Sequence, residues 1–235
     1  MKYYFKYSIL SIVLIGYFPV NAGSYEDFFK ALELDQPEVV QKLLERGFDP
    51  NSPNPQGQPA LMLAMQKSSN KVAEVLLNWK TTNLSISNPQ SETPLMLAAI
   101  TNQLVWAQKL IDKGADVNQK GWTPLHYAAT KGHIEMMRLL MEHHAYLDTE
   151  SPNGTTPLMM AAHYGTPMAT KLLLEEGADP RLKNRLGISA IEFARKANKP
   201  ESAQYIEAFE AAWNDKYPDK PLFLGCAAAQ HHSAT

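Results

Sequence analysis

Seven histidines and one cysteine are the residues of this 235-residue chain with the most direct claim to metal or nucleophilic chemistry. Their placement argues against both. A zinc site needs three or four side chains converging on one ion. His143 and His144 are adjacent at the end of a helical pattern, where neighbours point apart. His231 and His232 stand in a C-terminal mixture of Ala, His and Ser suited only to weak, adventitious metal binding. Cys226 stands alone, which excludes an internal disulfide and any multi-thiolate cluster, and no basic neighbour lowers its pKa. No Ser, His and acid trio has a recognisable nucleophile context, and no glycine-rich phosphate cradle follows a strand pattern. No catalytic residue, metal ligand or cofactor is therefore expected.

Composition points the same way. With 45% hydrophobic residues the chain can bury an ordinary globular core. A formal charge of −2 and a pI near 6.4 supply no basic field for nucleic acid or an anionic membrane surface. Residues 1–22 differ from the rest: Lys2 and Lys6 precede an apolar run from Ile9 to Phe18, then Pro19 and the small or slender Val20 and Ala22. This pattern predicts a secretory signal peptide cleaved after Ala22, because about ten apolar residues are too few to span a bilayer comfortably. An uncleaved anchor with Tyr3, Tyr4, Phe5 and Tyr7 at the interface is the alternative. Either way the expected location is periplasmic or secreted, with no stable membrane insertion after cleavage. Phe223-Leu-Gly-Cys226 has the letters of a lipid-attachment box at the wrong end of the chain.

The elements that position the remaining side chains follow from internal repetition. Residues 57–65, 91–99, 121–129, 154–162 and 187–195 read GQPALMLAM, SETPLMLAA, GWTPLHYAA, GTTPLMMAA and GISAIEFAR, and the proline slots advance by 34, 30, 33 and 33 residues. Thr93, Thr123 and Thr156 are placed to cap helices that begin at Pro94, Pro124 and Pro157, where no N–H is needed. Paired alanines at 98–99, 128–129 and 161–162 keep one face slim for close packing. A second helix follows from Pro37, Lys71, Leu104, Ile134 and Pro167, and Gly47, Gly114 and Gly177 suit the left-handed position past its end.

On these registered copies the chain resembles the ankyrin repeat family, and in particular small exported bacterial members of it. Trp122 to His133 and Gly114 to Asn118 carry the family's most typical segments. The resemblance implies an all-α solenoid of six helix-turn-helix units with short finger loops, divided at about 25–56, 57–90, 91–120, 121–153, 154–186 and 187–213. A flexible tail is expected over 214–235. The two end units are atypical, as caps with a single neighbour are. Gly121 follows Asn118 by only three positions, against six from Asn51 to Gly57, Asp148 to Gly154 and Arg181 to Gly187. The third finger is therefore expected to be cut short, notching the array.

The resemblance also implies a function: binding a protein through a concave groove of fingers and first helices, by a monomer, without catalysis. Residues carried over to that groove include Gln58, Glu92, Lys131, Asn153, Thr155, His163, Tyr164, Arg185 and Ile188. His126 and His133 fill slots where the family ties loops to helix starts. Trp122, before Thr123 at the base of the short finger, is either a partner anchor or a cover for the missing finger. Trp106 and Phe193 are expected in the core. Two further functions stay open from sequence: a secreted effector acting on a host protein, and a metal-dependent hydrolase on a repeat scaffold.

Overall fold

The computed structural model describes residues 22–216, which form twelve helices in six antiparallel pairs. The first helices of the pairs are α1 (Ala22–Glu33), α3 (Ala60–Gln66), α5 (Pro94–Ile100), α7 (Pro124–Lys131), α9 (Pro157–His163) and α11 (Ala190–Lys196). The second helices are α2 (Pro37–Glu45), α4 (Asn70–Asn78), α6 (Leu104–Asp112), α8 (Ile134–Glu142), α10 (Pro167–Glu175) and α12 (Pro200–Lys216). First helices stack on first helices from α5 through α11, and second helices on second helices from α6 through α12. All of the expected signal peptide but its last residue, Ala22, and most of the expected tail, with Cys226, His231 and His232, lie outside the described residues. At the C-terminal end α12 continues to Lys216, so the helix passes the boundary expected at Trp213.

Each pair is set locally. The Thr93 and Thr156 side chains accept the backbone N–H groups of Met96 and Met159, and the prolines occupy the first helical turn. All six paired alanines are completely buried, which lets successive first helices approach to backbone distance. The turn inside a pair needs a left-handed residue, and Asp35, Ser68, Asn102, Gly132 and Asn198 supply it. Gly165 stands at the same point without a positive φ. A Cβ there would lie 2.3 Å from the Ala129 carbonyl oxygen and 2.9 Å from the Ala161 Cα, so the residue is small because two backbones meet.

Gly47, Gly114 and Gly177 end their second helices with φ of 92°, 87° and 103°. His144 holds the same place with φ 64°, a conformation that costs a side-chain-bearing residue about 1 kcal/mol. Its ring is exposed, and its carbonyl, the part that matters, accepts a hydrogen bond from Asn118 at 2.8 Å. His144→Gly is accordingly expected to stabilise the fold by about 0.5–1 kcal/mol in urea unfolding. Unchanged or lower stability would contradict the strain.

Neighbouring units are also joined by a ladder of amide side chains. Asn51 accepts the Asn83 N–H and donates to the Thr81 carbonyl; Asn118 accepts the Tyr146 N–H and donates to the His144 carbonyl. Asp148 takes this place between the fourth and fifth units and accepts the Asp179 N–H at 3.0 Å. Unlike Asn51 and Asn118, an ionised carboxylate has no N–H to donate to a carbonyl of the next unit. Burial, and to a smaller degree the nearby Asp179 carboxylate, push Asp148 up to about 6.

Candidate concave binding face

Four of the five fingers are tight hairpins. Asn54, Asn88, Ser151 and Asn184 each donate an N–H to the carbonyl of the residue four further on and accept one from the residue three further on. The Asn54, Asn88 and Asn184 side chains also accept two backbone N–H groups across their own tips. Sequence reasoning missed these asparagines, although an Asn three residues before the finger's Gly or Ser recurs at 54, 88 and 184. Between Asn118 and Trp122 no such pair of backbone bonds forms among the described residues. The third finger is the shortened one, and Trp122 stands at its base.

His126 fixes the floor beneath Trp122. It is completely buried, its Nδ1 lies 3.1 Å from the Thr123 backbone nitrogen, and its Nε2 lies 2.9 Å from the Thr155 carbonyl oxygen. An N–H can only donate and a carbonyl can only accept, so the proton sits on Nε2 and the ring is neutral. Burial lowers its pKa to about 4, against a smaller opposing effect of the Thr155 hydrogen bond. One ring thereby joins the start of α7 to the finger of the next unit. His133 reaches back toward the Ile100 carbonyl at 3.3 Å, the tie between units that its slot implied.

His126 and Asp148 give the fold opposed pH dependences. His126 must stay neutral when folded, so its contribution is complete above about pH 6.5 and is lost as pH falls toward about 4. Asp148 holds its proton more tightly when folded than its ordinary value of 3.8 allows, so its penalty stands above about pH 6 and fades toward pH 4. Between pH 6 and 4 the two slopes oppose, and together they change stability by under about 1 kcal/mol. Asp148→Asn is expected to be more stable at pH 7, because it removes the charge that burial penalises and supplies the amide donor that Asn51 and Asn118 have. The same variant should lose about 3 kcal/mol more than the parent on acidification to pH 4. Urea unfolding at pH 7, 5.5 and 4.2 checks this, and parallel pH profiles would contradict it.

The residues carried over from sequence divide by exposure. Tyr164 is 60% exposed at the end of α9, its ring edge-on to His163 at 4.2 Å between centroids. His163 in turn meets Phe193 at 5.4 Å, so Phe193 is half-buried on this face, while Trp106 is buried as expected. Lys131, Arg185 and Asn153 are exposed, and Gln58, Glu92 and Ile188 are half-buried. Gln58 is tied to Gln66, and the Glu92 carboxylate accepts a hydrogen bond from Asn88 at 2.9 Å. Asn153 braces the next finger, its carbonyl accepting the Arg185 N–H.

Thr155 is a correction. It is buried, because its finger closes through Ser151, whose Oγ accepts the Thr155 N–H at 3.0 Å, and because His126 holds its carbonyl. Leu186, 79% exposed at the tip of the last finger, was missed. The signal was available: the residue before the finger's Gly or Ser is polar at Gln56, Gln90, Lys120 and Asn153 and apolar only here.

Trp122 is half-buried, its ring edge-on to His126 at 5.1 Å and tilted to Tyr127 at 6.5 Å. One part of the ring thus covers the His126 floor and the rest is left to solvent. Among the described residues no group of three or more His, Cys, Asp or Glu could hold a metal, and no helix is long and apolar enough to cross a membrane.

A stack of capped helix pairs and finger hairpins with this spacing matches a known family. The model for ankyrin repeats matches residues 28–120 and 106–184, more than half of the chain. This chain belongs to the ankyrin repeat family. Its curated relatives include the human transient receptor potential cation channel subfamily A member 1, 33% identical over 159 residues, and the chicken nuclear factor NF-kappa-B p105 subunit, 31% identical over 156. Each match covers 63% of this chain but only 14% and 16% of those proteins, so the chain spans a small part of their length. Among solved structures, one chain of a predatory endopeptidase from Bdellovibrio bacteriovorus in complex with an immunity protein aligns with a TM-score of 0.65 at 27% identity. An ankyrin repeat domain from Acinetobacter baumannii aligns with a TM-score of 0.68 at 22% identity, a likeness of fold. Each covers 78% of this chain and 97% of the other. The family's repeats form an interaction scaffold, and that is what this ankyrin chain presents.

Proposed function

We propose that the protein is an exported ankyrin scaffold, working in a bacterial periplasm, that binds one protein partner through its concave face and has no catalytic activity of its own. The observation that carries this is the exposed Tyr164 ring on the same array as the half-covered Trp122 ring. Aromatic side chains held beside the ends of rigid helices make interface anchors at little entropic cost, since few torsions are lost on association. Trp122, Tyr164, Lys131, Arg185 and Ile188 form the working set, with Glu92, Asn153 and His163 beside them and Thr155 withdrawn. Leu186 joins them as an apolar finger tip.

The likeness to a chain from an endopeptidase–immunity complex favours a narrower form: the partner is an exported enzyme that the repeat array restrains by occupying it. Fractionation of the source cells combined with N-terminal sequencing tests export, with a mature chain starting at Gly23 outside the cytosol as the expected result. A cytosolic chain retaining Met1 would remove the periplasmic part. Crosslinking in intact cells before pull-down then tests the partner. A host protein as partner, with the chain in culture supernatant, would favour a secreted effector instead.

A further inference from the structure

The notch left by the short third finger brings together three groups that lack obvious mates. Among the described residues Glu92 forms no ion pair, and its carboxylate is held toward the face by the hydrogen bond from Asn88. Tyr127 is half-buried, and among the described residues neither its hydroxyl nor the Trp122 indole N–H forms a hydrogen bond. The Trp122 and Tyr127 rings are tilted at 49°, the two walls of an open corner. Glu92 and Trp122 hold the same place, immediately before the capping threonine, in consecutive units whose first helices α5 and α7 stack, and the Glu92 carboxylate adds to the burial that raises the Tyr127 phenol above its ordinary value. Closed finger hairpins stand on either side, at 88–92 and 151–155, with none between Asn118 and Trp122 among the described residues.

From this arrangement the geometry points to a cation-binding corner: Glu92, Trp122 and Tyr127 receive an arginine or lysine side chain of the protein partner. This rests on the binding function proposed above and gives its partner a chemistry. The carboxylate supplies charge, the ring faces supply cation–π attraction, and the apolar stem of the guest covers the exposed part of the indole. Arginine fits best, because its planar guanidinium can stack on one ring while donating to Glu92.

Amide and indole N–H spectra of the purified protein test it with acetyl-Gly-Arg-Gly-amide, its lysine analogue and its norleucine analogue as probes. The Trp122 indole N–H, assigned by Trp122→Phe, should shift saturably with the arginine and lysine peptides and not with norleucine. Glu92→Gln, which keeps an acceptor for Asn88, should weaken the arginine peptide at least about fivefold with the remaining spectrum unchanged. Equal binding of the norleucine peptide, or unaltered binding in Glu92→Gln, would overturn the assignment. Should Glu92→Gln disturb the finger, acetyl-Gly-Glu-Gly-amide on the parent protein decides: matching affinity overturns the corner and no binding supports it. Partner capture that needs Trp122 but is unchanged in Glu92→Gln removes the cation corner while leaving the groove standing.

Discussion

A Trp122→Ala, Tyr164→Ala double variant is expected to fold as the parent does and to bind the partner at least about 100-fold more weakly, the loss that truncating two central aromatic anchors produces. Neither ring is part of the sealed core: Trp122 rests on His126 and Tyr127, and Tyr164 rests on His163. Removing them therefore costs little stability and much contact area. Val105, 67% exposed on α6 among the second helices, provides the control. Val105→Ala removes exposed apolar surface from the opposite side and should leave affinity unchanged. Isothermal titration with the captured partner reads both, and an equal loss in the control would place the interface elsewhere.

The second large effect concerns Gly165. Gly165→Ala is expected to destabilise the protein by at least about 3 kcal/mol, because the added Cβ meets the Ala129 carbonyl and the Ala161 backbone, neither of which can rotate away. The Gly165 carbonyl also accepts a hydrogen bond from Lys199, so the strain reaches the last unit. Since each unit contacts only its neighbours, damage at this junction should stay polar along the array. Hydrogen exchange is expected to speed up in α9 to α12 while α3 and α4 keep their protection. Melting within about 2 °C of the parent would show that the turn relaxes, given that 1 kcal/mol shifts a domain of this size by roughly 2–4 °C.

Some positions were legible from sequence and others were not. The caps at Thr93 and Thr156, the buried alanine pairs and the glycine stops are chemical choices with one structural meaning each, so they locate helices without tertiary information. Thr155 was misplaced because its slot, the residue before the capping Thr or Ser, is half-exposed at Glu92, Trp122 and Ile188. Burial there depends on what folds over it, and the tie from His126, 29 residues away, is a long-range cause that spacing does not reveal. Gly165 escaped attention for a related reason. Its neighbours in the same turn, such as Ser68 and Asn102, answer to backbone conformation, whereas Gly165 answers to a contact with the previous unit.

Asp148 lies between these cases. An acid where Asn51 and Asn118 stand is visible on alignment of the units, but its consequence depends on knowing that the amide's donor is used. The short finger was legible from spacing alone. That it leaves Trp122 half-covered, with Tyr127 and Glu92 around it, required the neighbouring helices in place.

The central claim is that the concave face, not the second-helix face, meets the partner. Site-directed photocrosslinking in intact cells tests it most directly, with a benzoylphenylalanine placed in turn at Tyr164, Leu186 and Val105. Adducts of one protein from positions 164 and 186, and none from 105, are the expected result. Adducts from 105 alone would contradict it.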